Sequence, residues 1–89
     1  MLKSNIVIAN RLGLHARATA KLVQLLSQFR SSGTLTAKGR EVNAKSIMGV
    51  MMLAAGIGSQ VTLETDGEQE QEAMEALLAL IADKFGEGE

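Results

Sequence analysis

The sequence predicts an α+β fold, a two-layer open-faced sandwich in which helices cover one face of a sheet, with residues 1–89 forming one domain. Three observations predict it. Residues 2–8 and 60–65 alternate apolar and polar side chains, as strands with one buried face do. Residues 16–29 and 68–85 carry apolar stripes at helical spacing. Between them, residues 34–44 read as a hairpin. Such strands need cover on one side and tolerate water on the other, and two long helices supply that cover.

In chain order, Leu2, Ile6 and Ile8 share one face of the first strand, with Lys3 and Asn5 between them. Residues 10–15 form a loop around Gly13. Ala18, Leu22, Leu25, Leu26 and Phe29 make the stripe of the first helix, which Ser31-Ser32-Gly33 stops. Thr34–Ala37 alternates, Lys38-Gly39-Arg40 turns, and Glu41–Ala44 returns. Ser46 is a good N-cap for a helix of about two turns over the residues from Ile47, ended by Gly56 and Gly58. Gln60–Thr65 is the most regular strand. Met74, Leu77, Leu78, Ile81 and Phe85 make the stripe of the last helix. Glu68, Glu70 and Glu72 lie in its first turns, Lys84 in its last, and Gly86 just beyond, where dipole and cap favour each. The order is β-α-β-β-α-β-α.

Composition narrows the function. With no cysteine and one histidine, neither a thiolate metal site nor a cysteine nucleophile exists, and no metal or cofactor is expected. No tryptophan or tyrosine offers a stacking platform for single-stranded nucleic acid. The longest nearly apolar run, Ile47 to Gly58, spans 12 residues and is broken by glycine, too short to cross a bilayer. The first residues lack a signal peptide's apolar stretch, so a cytoplasmic protein is expected. The net charge of −1 hides an asymmetry: residues 1–45 hold eight Lys/Arg and one acid, whereas residues 46–89 hold one Lys and nine acids. This is either two solvated faces of opposite sign or a basic surface that steers an acidic partner or holds an anion. The basic residues are scattered and no reading helix is evident, which argues against nucleic-acid binding. The run Glu68-Gln69-Glu70-Gln71-Glu72 reads as a solvated helix start, not a metal site.

His15 concentrates the chemistry. It stands before a predicted helix in Gly13-Leu14-His15-Ala16-Arg17. Unpaired N–H groups and the positive dipole end make that position an anion site. Arg17 adds a fork of donors suited to phosphate. Positive surroundings favour the neutral imidazole, whose free nitrogen is a nucleophile. The parts of a reversible phosphohistidine thus lie within three residues. The alternative is a histidine that only caps a helix.

Leu12-Gly13-Leu14-His15-Ala16-Arg17 resembles the active-site motif of the HPr family, the histidine phosphocarriers of the bacterial phosphoenolpyruvate-dependent phosphotransferase system, including its nitrogen-related branch. Asn43–Met51 resembles the family's regulatory serine region. The key residues of the two motifs, His15 and Ser46, stand 31 positions apart, as in the family. The resemblance covers essentially the whole chain. It implies a four-stranded antiparallel sheet covered on one face by helices. It implies that His15 accepts a phosphoryl group on Nδ1 from enzyme I and passes it to an enzyme IIA protein. The backbone N–H groups of Ala16 and Arg17 would hold the phosphate with help from the Arg17 side chain. Ser46 would match the serine that an ATP-dependent kinase modifies, where a helix start tolerates a dianion. One departure is Ala18, where the commonest family pattern has proline; alanine leaves one more N–H and a looser helix start.

Ile47, Met48, Met51 and Met52 form an apolar cluster, about half of it expected in the core and Met48 and Met51 expected outward. A flexible methionine surface suits a protein that meets several partners. The resemblance makes this helix, with the His15 loop and the first helix, the docking face, with Thr19, Lys21 and Gln24 as rim contacts and Ile47, Met48 and Met51 at its centre. The implied protein is a monomeric carrier and not an enzyme. A second reading is a regulatory module governed by Ser46 phosphorylation. A third, a small enzyme with His15 as general base, lacks a second convergent acid in the sequence and a deep pocket.

Overall fold

The computed structural model describes residues 1–88. The elements are β1 (Leu2–Val7), α1 (Ala16–Leu26), β2 (Ser32–Ala37), β3 (Arg40–Asn43), α2 (Ile47–Met52), β4 (Gln60–Asp66) and α3 (Glu70–Ala82), followed by one 3-10 turn at Lys84–Gly86. The order is the one the sequence predicts. The strands form one antiparallel sheet in the order β1-β4-β2-β3. Ile6 stands opposite Val61, and Leu35 opposite Leu63.

Alternation along the strands separates the two faces. Leu35, Val61 and Leu63 are buried beneath the helices, with Ile8 just beyond β1. On the other face Thr62 Oγ1 donates to Asn5 Oδ1 at 2.9 Å, and Lys3 pairs with Glu64 at 3.6 Å. Ala18, Leu22 and Leu26 of α1 and Ala73, Met74, Leu77 and Ile81 of α3 complete the core. Leu25, Phe29 and Leu78 are only partly buried against it. Among the described residues, no helix is long and apolar enough to cross a membrane.

The element ends differ from expectation, each for a local reason. α1 stops at Leu26 rather than residue 29, because Gln28 and Phe29 donate to carbonyls three residues back, at Leu25 and Leu26. Ser32 and Gly33 belong to β2 rather than to a helix stop. Gly33 leaves room for the Leu26 methyl that packs on the strand: a Cβ would lie 2.6 Å from it, and the leucine would have to shift. The hairpin turns on two residues, Lys38 and Gly39, at φ 53° and 78°, the left-handed pair that matches strand twist. Arg40 therefore lies in β3, and Ala44 lies beyond it.

α3 is shorter than predicted at both ends. Gln69 has φ 64°, so Glu68 lies outside the first turn, which holds Glu70 and Glu72. At the far end Lys84 and Phe85 take φ 55° and 57°. Phe85 is fully buried as expected, but it reaches the core from the 3-10 turn, not from the helical stripe.

Candidate functional site

The loop before α1 is built to present His15. Gly13 has φ +66°, and a Cβ there would stand 2.5 Å from the Ala55 carbonyl oxygen. Only glycine combines that conformation with that contact. Leu14 N–H donates to the same Ala55 oxygen at 2.9 Å, which fastens the loop to the chain after α2. Asn10, wholly buried, donates from Nδ2 to the Gly13 carbonyl at 2.8 Å.

His15 is the N-cap of α1, in extended conformation at φ −75° and ψ 178°. Its Nδ1 accepts a long hydrogen bond, 3.4 Å, from the Arg17 backbone N–H. That geometry leaves Nδ1 unprotonated and its lone pair directed at the helix N-terminus. The side chain is 27 % exposed. Ala16 and Arg17 are exposed, and the Arg17 guanidinium makes no hydrogen bond or ion pair among the described residues. His15 therefore does cap the helix, and it does so through Nδ1.

An open cleft of about 620 Å³ surrounds the imidazole, lined by Arg11, Leu12, Ala16, Arg17, Lys21 and Glu87, among others. Three of these are cations, so the cleft suits an anion. Lys21 also ties the site together, donating from Nζ to the Phe85 carbonyl at 2.6 Å.

Glu87 corrects the expectation that no second acid converges on His15. Its Oε2 meets His15 Nε2, and its Oε1 accepts from Asn10 Nδ2 at 3.0 Å. The Asn10 amide first, and the His15 ring second, hold the Glu87 carboxyl below its ordinary value. The surroundings of the ring are therefore not uniformly positive. Sequence reasoning missed Glu87 and Asn10. Glu87 lies 72 positions from His15, and nothing in its local pattern separates it from the other acids of the last helix region.

The remaining predicted residues fall into two groups. Thr19 is not a rim residue: it is fully buried, and its Oγ1 donates to the Leu14 carbonyl at 3.1 Å, back-bonding within the turn it follows. Gln24 is exposed. Ser46 caps α2, with Oγ accepting from Gly49 N–H at 3.0 Å. The apolar cluster is wholly outward: Ile47, Met48, Met51 and Met52 are 46, 76, 43 and 60 % exposed. The expectation that half of it is core fails because Val50 alone turns the buried side of this six-residue helix inward. Among the described residues, no cluster of His, Cys, Asp or Glu could hold a metal ion.

The molecule is thus an open-faced antiparallel sandwich that presents a partly exposed histidine at a helix N-terminus, beside a cleft lined by cations. Residues 2–83 match the sequence model of a family described as "PTS HPr component phosphorylation site". The phosphocarrier protein HPr of Cupriavidus necator is 68 % identical over 89 residues, covering 100 % of both chains. The HPr-like protein Crh of Halalkalibacterium halodurans is 48 % identical over 81 residues, 91 % of this chain and 96 % of that one. A crystal structure of HPr from Thermoanaerobacter tengcongensis superposes with a TM-score of 0.94 at 46 % identity, covering 98 % of each chain. The chain belongs to the HPr family of phosphocarrier proteins of the phosphotransferase system, carriers rather than enzymes.

Proposed function

We propose that His15 accepts a phosphoryl group on Nδ1 from phosphorylated enzyme I and passes it to an enzyme IIA protein, with residues 1–89 acting as one monomeric cytoplasmic domain. The observation that carries this reading is the His15 Nδ1 lone pair facing the Arg17 N–H in the first turn of α1. As phosphorus approaches, the Arg17 N–H can pass from Nδ1 to a phosphoryl oxygen. The Ala16 N–H and the uncommitted Arg17 guanidinium supply further donors where charge spreads over the transferring group. The proton left on Nε2 faces Glu87.

Docking in this reading uses Lys21, Gln24, Ile47, Met48 and Met51, beside the cleft and on the exposed face of α2. Incubation with phosphoenolpyruvate and enzyme I should add one phosphoryl group that is acid-labile and alkali-stable. Labelling of His15→Ala under the same conditions would overturn the assignment.

A second reading, regulation through a kinase that phosphorylates Ser46, is supported by the position of Ser46 immediately before the exposed apolar cluster. A dianion there would add bound water and charge to the docking face.

A further inference from the structure

The two ring nitrogens of His15 have opposite kinds of partner. Nδ1 meets an N–H donor, the Arg17 backbone. Nε2 meets an acceptor, the Glu87 carboxylate. A ring so flanked carries its proton on Nε2 and keeps Nδ1 free.

The carboxylate is itself held. Its Oε1 accepts from Asn10 Nδ2, whose amide is wholly buried and also donates to the Gly13 carbonyl. The segment that presents Glu87 is pinned by the buried Phe85 ring and by Lys21 Nζ on the Phe85 carbonyl. Two donors, one from Asn10 and one from His15, converge on Glu87. A carboxylate offers an acceptor to each. An amide has one oxygen and would turn its NH2 toward one of them.

We propose that Glu87 is a positioning residue that decides which imidazole nitrogen takes the phosphoryl group, by holding the proton on Nε2 and covering that nitrogen so that only Nδ1 reacts. This rests on the reading of His15 as phosphoryl acceptor. With phosphoramidate as a small donor, the Nδ1 lone pair forms the new P–N bond, the donor's own P–N bond breaks, and ammonia leaves with its electron pair. The ring keeps its Nε2 proton, and the resulting imidazolium is paired with the Glu87 carboxylate.

His15 is the only histidine, so a protein labelled with 15N in the histidine ring reports this ring alone. The test compares wild type, Glu87→Gln and Glu87→Ala, with backbone amide spectra as the control for folding. At about two pH units above the ordinary histidine value, the wild-type ring nitrogens should show the Nε2–H tautomer, and both variants a mixture. After treatment with phosphoramidate, wild type should carry phosphorus on Nδ1 only, whereas the variants should also carry the Nε2 isomer. Folded variants that keep the wild-type tautomer and the single Nδ1 isomer would overturn the proposal. If wild type takes no phosphoryl group from either phosphoramidate or enzyme I, the carrier reading fails, and the tautomer spectrum still decides whether Glu87 sets the proton position.

Discussion

Gly13 packs directly against the Ala55 carbonyl, so that the loop carrying His15 rests on the chain leaving α2. Gly13→Ala would place a Cβ 2.5 Å from that oxygen in a backbone at φ +66°. Conformational strain and overpacking together should cost about 2–4 kcal/mol. Urea denaturation should show the lower midpoint, and phosphoryl transfer should slow even where the protein is folded, because the His15 loop must shift.

Arg17→Ala should slow phosphoryl transfer far more than it affects folding. The guanidinium is exposed and unpaired among the described residues, so its removal should change stability by less than ~1 kcal/mol. A donor fork aimed at developing phosphoryl charge contributes much more to the transition state. Initial rates with purified enzyme I and an enzyme IIA, set beside a urea titration, separate the two effects.

Ser46→Ala removes the acceptor that caps α2 at Gly49 N–H and should cost about 1 kcal/mol. Ser46→Asp keeps an acceptor at the N-cap and should retain the fold. It should nevertheless weaken binding to enzyme I, since it places charge beside the apolar patch, and full phosphorylation should weaken it further. Calorimetric affinities with circular dichroism as the folding control check both arms.

The Glu87 carboxyl is held below its ordinary value by Asn10 and then His15. A depressed folded value means that its contribution is complete above the unfolded carboxylate value and is lost as pH falls through the folded one. Acidification below the ordinary carboxylate range should therefore release Glu87 from Asn10 and His15. The 13C shift of the Glu87 carboxyl and the amide shifts of Asn10 should move together in that window, and Glu87→Gln should abolish the transition.

Met48→Glu should leave stability nearly unchanged, within about 0.5 kcal/mol, because the side chain is 76 % exposed. It should weaken docking to an acidic partner by adding like charge and removing apolar contact. Equal affinity of enzyme I for both proteins would take Met48 off the docking face.

Legible in the sequence were the element order, the buried positions Ala18, Leu22 and Leu26 of α1 and Met74, Leu77 and Ile81 of α3, the caps at His15 and Ser46, and the polar open face of the sheet. Each is a short-range property: periodicity, cap chemistry and the spacing of donors around one histidine act within a few residues of chain. Element ends were less legible, because Gln69, Lys84 and Phe85 take left-handed conformations that non-glycine residues rarely adopt. The burial of Thr19 depended on its back-bond to Leu14, and the outward turn of the whole Met48–Met52 surface on Val50 taking the inner side. The meeting of Glu87 with His15 across 72 positions, with Asn10 holding it there, arises only once the chain is folded. One acid among the nine between residues 46 and 89 acquires that place because the turn after α3 buries Phe85 and Lys21 fastens its carbonyl, and a contact made by folding leaves no periodic trace along the chain.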